Sequence, residues 1–325
     1  MYRNDPPTAG LKPSATSTDY KPESESPPTL ECDLDDEMLY LHSYYQPGAQ
    51  LTINIRSCID ETIERTVDVT IAKALTPFTM SQVLLVDVEP PIPDILPAAT
   101  NSLVLKVFDP RFLQHRNGTK GSAPHPWTLA AETTAARRRE FGMNTHTQLP
   151  TWWPDDNDAA GWEEYYHHNL EEMFQNEVAA YERLLPLQGR SIPICYAHGS
   201  IVPQTRCKRL VVPRVLVLSY IPGPNLRAIQ AGRISPNVGR SLVDTTRAFN
   251  ALGVIHDDLR AENVLLSPSD RPSRAFVIDF GNAIVRDGES DEEWDWTLEE
   301  NDEPQLMEML LDKLGVDHTD LEAMD

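Results

Sequence analysis

Asp258 and Asn263 stand five positions apart in Val254-Ile-His-Asp-Asp-Leu-Arg-Ala-Glu-Asn-Val-Leu-Leu266, an acid and an amide between two apolar runs. After the polar turn at 267–274, Ala275-Phe-Val-Ile-Asp-Phe-Gly281 ends a further apolar run on a second acid, Asp279. Two apolar strands around a turn would deliver these three oxygen-bearing side chains to one place. A carboxylate there can accept the proton of a hydroxyl group. An amide oxygen and a second carboxylate are hard ligands suited to Mg²⁺.

The elements that must position them are legible upstream. Thr66–Ala72, Ser81–Val88 and Ser102–Phe108 are rich in β-branched and apolar residues and predict three strands joined as an antiparallel meander, with Pro90, Pro91, Pro93 and Pro97 breaking the chain before the third. That third strand contains Val104-Leu-Lys-Val107, a lysine between apolar neighbours. From Trp162 to Leu185 the residues Trp162, Tyr166, Leu170, Phe174, Val178, Tyr181 and Leu185 recur at the helical period. Glu177 falls on or beside that stripe, where an acid is costly unless paired; Glu172 and Glu182 are the alternatives on the solvated face. Strands follow at Arg209–Pro213 and Val215–Tyr220, the latter ending at Ile221-Pro-Gly-Pro224, and a helix runs from about Pro236 to Leu252 with Leu242, Thr246 and Phe249 on one face. Residues 109–161 read as an irregular insertion. Its Arg137-Arg-Arg139 cluster suits a solvated face, and Trp127, Trp152 and Trp153 are candidates to fold the insertion onto the strands.

Composition sets outer limits. The 325 residues carry 28 Lys+Arg against 50 Asp+Glu, a formal net charge of −22. Such a field repels nucleic-acid phosphates and anionic lipid, so neither is the expected partner. No run approaches the roughly 20 apolar residues of a membrane helix, and the first residues lack the apolar core of a secretory signal. The expected compartment is therefore the cytoplasm or nucleus. The four cysteines form no CxxC pair and read as buried or incidental thiols in a reducing compartment. Residues 1–50 read as a flexible, acidic tail.

His256-x-Asp258-Leu259-x-x-x-Asn263 followed by Asp279-Phe280-Gly281 resembles the catalytic loop and metal-binding motif of the protein-kinase-like superfamily. The resemblance covers about residues 65–315 and implies an α+β, two-lobed protein-kinase-like fold: a β-rich N-lobe at 51–220 with its insertion at 109–161, then a reduced helical C-lobe at 221–325. It implies phosphoryl transfer from ATP to a hydroxyl of a protein Ser/Thr or a small molecule. In that reading Asp258 orients and deprotonates the acceptor, and Arg260 supplies positive charge beside it. Asn263 and Asp279 coordinate Mg²⁺, Lys106 paired with Glu177 positions the phosphates, and Tyr220 lies at the hinge that meets the adenine.

Three features depart from that family. The turn Lys73-Ala-Leu-Thr-Pro-Phe-Thr-Met-Ser81 has no glycine, so backbone amides cannot approach phosphates closely, and the hydroxyls of Thr76, Thr79 and Ser81 are the available substitutes. Asp257 replaces an arginine that in many protein kinases receives an activation-loop phosphate. After Gly281 the chain is short; residues 287–303 carry ten acids and no base, which reads as a solvated segment or an acidic lid. A last amphipathic helix places Leu306, Met309, Leu310 and Leu314 on one side. This trimmed end is more similar to aminoglycoside and choline phosphotransferases and to short fungal kinase-like proteins. A binding module with weak or no turnover, and a product with an incomplete C-terminal part, stand as the rival readings.

Overall fold

The computed structural model describes residues 44–97, 102–118, 123–142, 153–203 and 209–318. Of the expected tail at 1–50, residues 1–43 lie outside the described residues, as do Trp152 and Cys207. Residues 44–50 belong to the fold instead, with Tyr45 only 2% exposed against the strand core and Gln50 opening the first strand.

Six antiparallel strands close into a barrel: β1 (Gln50–Ser57), β2 (Glu64–Ala74), β3 (Gln82–Val88), β4 (Leu103–Phe108), β5 (Cys195–Ile201) and β6 (Arg214–Ser219), in the order β1-β2-β3-β4-β6-β5. The period-2 alternation of each strand fills the interior. Leu51, Ile53 and Ile55 of β1 point inward with Val67, Val69 and Ile71 of β2, while Leu84, Leu103, Leu105 and Val215 complete a dry core. Closure comes from β1, which pairs β2 on one side and β5 on the other, with Ile53 opposite both Val67 and Ile201.

Lys106 alternates with Leu105 and Val107, so it projects from the outer face of β4. That face is covered by α2 (Ala159–Arg183), which follows α1 (Leu129–Glu140). Phe108 of β4 meets Phe174 of α2 at 5.5 Å between ring centres. The remaining elements are α3 (Pro236–Ala251), β7 (Val254–Ile255), β8 (Val264–Ser267), β9 (Arg274–Val277), β10 (Ile284–Val285), α4 (Asp291–Asn301) and α5 (Glu303–Leu314). β7 pairs β10 and β8 pairs β9, each as a two-stranded antiparallel sheet. A second apolar cluster joins α2 to this part through Tyr181, Phe249 and Phe280, whose rings lie 5.5 Å apart in each adjacent pair. Among the described residues no helix is long and apolar enough to cross a membrane.

The architecture corrects the expected fold class. A two-lobed kinase-like fold with a helical C-lobe is not what the chain forms; its dominant body is the closed six-stranded antiparallel barrel, with few helices. The open meander at Glu64–Ala74, Gln82–Val88 and Leu103–Phe108 is present, but β1 and β5 turn it into a closed surface. β1 carries a plain alternation of Leu51, Ile53 and Ile55 with polar residues. β5 reads CYAHGSI, which has little of the β-branched signal of a strand. Its Gly199 serves closure: a Cβ there would stand 1.9 Å from the carbonyl oxygen of Asn54 on β1.

Several smaller corrections trace to buried charge. Arg209–Pro213 is not a strand, because Arg209 turns inward to an ion pair with Glu132 at 2.7 Å and a longer one with Asp109 at 3.4 Å. Asp109 also accepts from Arg111 at 2.6 Å and from the Tyr45 hydroxyl at 2.9 Å. Arg116 binds Glu163 of α2 through both guanidinium arms at 2.7 Å. The insertion is thus tied to the barrel and α2 by enclosed ion pairs, in which a lone partner would be strongly destabilising. Trp127 donates to Glu132 at 2.8 Å and Trp153 stacks on Tyr165 at 5.1 Å. Of the arginine cluster, Arg138 pairs with Asp158 at 3.1 Å and Glu164 at 3.5 Å. In α5 the buried face is Met307 and Leu311, whereas Leu306 and Met309 are 49% and 59% exposed.

Candidate active site

Lys106 is buried where β4 meets α2, and its ammonium is shared between two acids. It donates to Glu177 Oε2 in a short contact and to Asp279 Oδ1 at 2.7 Å. The Glu177 side chain has no exposure and that of Lys106 has 5%, whereas Asp279 is 35% exposed. Two carboxylates facing one ammonium leave an excess negative charge in a largely enclosed site. Burial pushes the Glu177 carboxyl up to about 7; Lys106 opposes the rise and Asp279 adds to it. Asp279 is held below its ordinary value by Lys106 against the effect of burial. For Lys106 burial opposes the charge, but the two acids outweigh it and raise its pKa.

These three side chains stand in a cleft of about 330 Å³. Its walls are apolar, formed by Leu75, Val83, Val104, Leu218, Leu265 and Ile278. Tyr220, just past β6, lines the same cleft with 41% of its surface exposed. Gly223 completes the wall because the chain crosses β8 closely there: a Cβ would lie 1.8 Å from the Leu266 carbonyl oxygen.

Asp258, Arg260 and Asn263 form a second group. Asn263 Nδ2 donates to the Asp258 backbone oxygen and to its Oδ2, both at 3.0 Å, and Arg260 Nη2 lies 3.2 Å from the same Oδ2. The β8–β9 ladder joins the two groups. Val264 pairs with Val277, and the N–H of Ile278, the neighbour of Asp279, donates to the Asn263 backbone oxygen at 2.9 Å. Every site residue expected from sequence therefore falls in one of two linked clusters: Lys106, Glu177, Tyr220 and Asp279 around the cleft, and Asp258, Arg260 and Asn263 beside it.

Three residues outside that set support the arrangement. His256 is fully enclosed; its Nδ1 accepts the Asp258 N–H at 3.3 Å and its Nε2 donates to the Ile278 carbonyl at 2.9 Å. One acceptor and one donor define a neutral ring, in keeping with burial, which lowers its pKa. Glu303 is the second. Its Oε1 accepts the backbone N–H groups of His256 at 2.8 Å and Asp257 at 2.9 Å, fixing the loop as it enters Asp258. An acidic run predicts solvation; here its last member is buried, while Ser290 and Glu293 form a capping box that starts the helix α4. Asp257 and Asp279 both adopt positive φ, 56° and 72°, a conformation unusual outside glycine that re-aims the chain at each cluster.

The third is Lys73. The glycine-free turn after β2 is anchored by Phe78, which packs against Tyr45 and Phe112, and by the Gln114 N–H, which donates to Thr79 O at 3.0 Å. Thr76, Thr79 and Ser81 are absent from the cleft lining, and Ser81 is buried. Lys73 lines the cleft instead, an exposed cation on the strand before that turn. A larger hollow of about 480 Å³ lies outside the barrel, but its arginines are engaged, Arg56 with Glu64 at 2.5 Å and Arg214 with Glu171 at 3.0 Å.

The donor set suits Mg²⁺ only in one manner. Among the described residues no group of three His, Cys, Asp or Glu side chains is arranged to hold a metal ion. Asn263, whose amide nitrogen is turned to Asp258, and the partly exposed Asp279 offer two hard oxygens, the number sufficient for a cation that brings phosphates and water as its other ligands. Compared with known proteins, the chain matches no family model and no curated sequence.

Proposed function

We propose that the protein is an ATP-dependent phosphotransferase acting on a hydroxyl of a protein Ser/Thr or a small molecule. The observation that carries this reading is the contact of Lys106 with both Glu177 and Asp279 in a cleft with apolar walls. Apolar walls suit a purine, and a fixed cation among them suits phosphate oxygens. The resemblance of the Asp258–Asn263 and Asp279–Gly281 motifs to those of the protein-kinase-like superfamily supports the same chemistry.

In this reading the adenine lies between Val83, Val104 and Leu265 near the backbone at Tyr220. Lys106, oriented by Glu177, neutralises phosphate charge. Asn263 and Asp279 would hold Mg²⁺, which supplies charge neutralisation at the phosphates. Asp258 accepts the acceptor hydroxyl's proton, with Arg260 and Asn263 fixing its carboxylate. Such catalysis is mostly positioning and electrostatics, so Glu303 and His256 matter through the loop they hold. The cytoplasm or nucleus is the proposed compartment.

A second reading, a module that binds nucleotide with little turnover, is favoured by one feature, the turn at 75–81 that offers side chains where close backbone approach would be needed. Thermal denaturation with Mg²⁺·ATP tests both. At about 100 times Kd, binding adds about 3 kcal/mol of stability, and Asp279→Ala removes the shift. No shift at millimolar nucleotide eliminates both readings. Given binding, ATP turnover that disappears in Asp258→Ala supports the enzyme, and turnover equal to that variant supports the module.

A further inference from the structure

Cys58 and Cys195 are 137 positions apart in the chain, yet their Sγ atoms lie 3.4 Å apart. The backbone brings them together. Cys58 directly follows β1, and its N–H donates to the Tyr196 oxygen at 3.0 Å, continuing the pairing that closes the barrel. A bulge in β5 between Cys195 and Ala197 places Cys195 beside it. A bulge re-aims the side chains around it. The two thiols differ in access: Cys58 is half-buried next to the 79% exposed Ile59, whereas Cys195 is 3% exposed and belongs to the apolar cluster that contains Phe174 and Tyr181 of α2.

We propose that Cys58 and Cys195 are a modification site, a thiol pair that a low-molecular-weight disulfide converts to an intramolecular disulfide. The Cys58 thiolate attacks one sulfur of the reagent disulfide, forming a mixed disulfide and releasing one reagent thiolate. Cys195 then attacks Cys58 Sγ, breaks the mixed bond and expels the second reagent thiolate. The two protein thiols are oxidised, the reagent is reduced to two thiols, and the two cysteine protons end on them. The order follows from access: Cys58 meets a dissolved reagent, and Cys195 meets only Cys58. The hydrogen bond with Cys58, together with burial, keeps the Cys195 thiol protonated well above its ordinary range, so it resolves the mixed disulfide rather than starting the exchange. Closing the bond needs a sulfur approach of about 1.4 Å from 3.4 Å, within the reach of side-chain rotation at sheet spacing. In a reducing compartment a pair of this kind is a transient, redox-responsive one rather than a structural staple.

Oxidised glutathione is the probe, applied to full-length protein carrying Cys32→Ser and Cys207→Ser, which removes the other two cysteines. Intact mass without reductant should show loss of two hydrogens and no retained glutathione, reversed by dithiothreitol, with a peptide map linking Cys58 to Cys195. Adding Cys195→Ala should trap one glutathione on Cys58; adding Cys58→Ala should leave Cys195 unmodified. Each variant is first shown to melt cooperatively, and Ser replaces Ala where it does not. Stable glutathione on the parent protein, a disulfide-linked dimer, modification of Cys195 without Cys58, or no reaction would each overturn the proposal.

Discussion

Replacing Glu177 by glutamine removes the carboxyl whose burial beside Lys106 and Asp279 pushes its pKa up to about 7 from the ordinary 4.5. Between those two values the folded chain retains a proton that the unfolded chain has released. Wild-type stability therefore falls as pH rises through that window, and integration over 2.5 pH units at 1.36 kcal/mol each gives about 3 kcal/mol. Asp279 titrates below its ordinary value and Lys106 above its own, so neither contributes between pH 5 and 8. Glutamine keeps a hydrogen-bonding oxygen for Lys106 but has no proton to lose. Urea denaturation followed by circular dichroism from pH 5 to 8 measures the effect. The unfolding free energy of wild type minus that of Glu177→Gln should fall by about 2–3 kcal/mol across the range and level off above pH 8. A difference that stays flat to within about 0.5 kcal/mol would refute the idea that Glu177 keeps its proton in the folded chain below pH 7.

The same site predicts linkage to its ligand: at pH 7 Mg²⁺·ATP should displace roughly half a proton from the Glu177 carboxyl, seen as a calorimetric heat that depends on the buffer's ionisation enthalpy, and a buffer-independent heat would contradict it. Glu303→Ala leaves the buried backbone N–H of His256 and the partly buried N–H of Asp257 without an acceptor and should cost about 1–4 kcal/mol in urea denaturation. Glu303→Gln keeps that acceptor and should cost about 1 kcal/mol or less; equal losses in the two variants would assign the effect to packing instead. Lys73→Ala should weaken ATP binding about fivefold, the value of an exposed charge near 1 kcal/mol, while leaving adenosine affinity unchanged by calorimetry. An equal effect on both ligands would place Lys73 against the base rather than the phosphates.

How far the chain could be read depended on whether a residue's role was local. Lys106 sits on a strand with strong period-2 character and Glu177 on a helix with a strong apolar stripe, so their elements, and the cost of burying an acid there, were visible in one dimension. Their meeting with Asp279 required only that the motif loops return to β4. The fold class was not readable in the same way. β5 has too little apolar alternation to announce a strand, and its Gly199 makes sense only against Asn54, more than 140 positions earlier. Glu303 was hidden for a similar reason: within a run of ten acids nothing marks the one that turns inward to two backbone amides. Arg209 likewise looks like a strand residue until Glu132 and Asp109 are placed beside it. α5 shows the limit of the helical period itself, since Leu306 and Met309 are as apolar as the residues that are buried.

The barrel also dictates a timetable for synthesis. β1 meets β2 soon after both leave the ribosome, but its other edge must wait for β5, which begins 138 residues after Ser57. At about 5–20 residues per second that edge stays open for roughly 7–28 s. During this interval a nascent chain displays an unpaired strand whose inward side is Leu51, Ile53 and Ile55, a surface on which chaperones or neighbouring chains act before the last hydrogen bonds form.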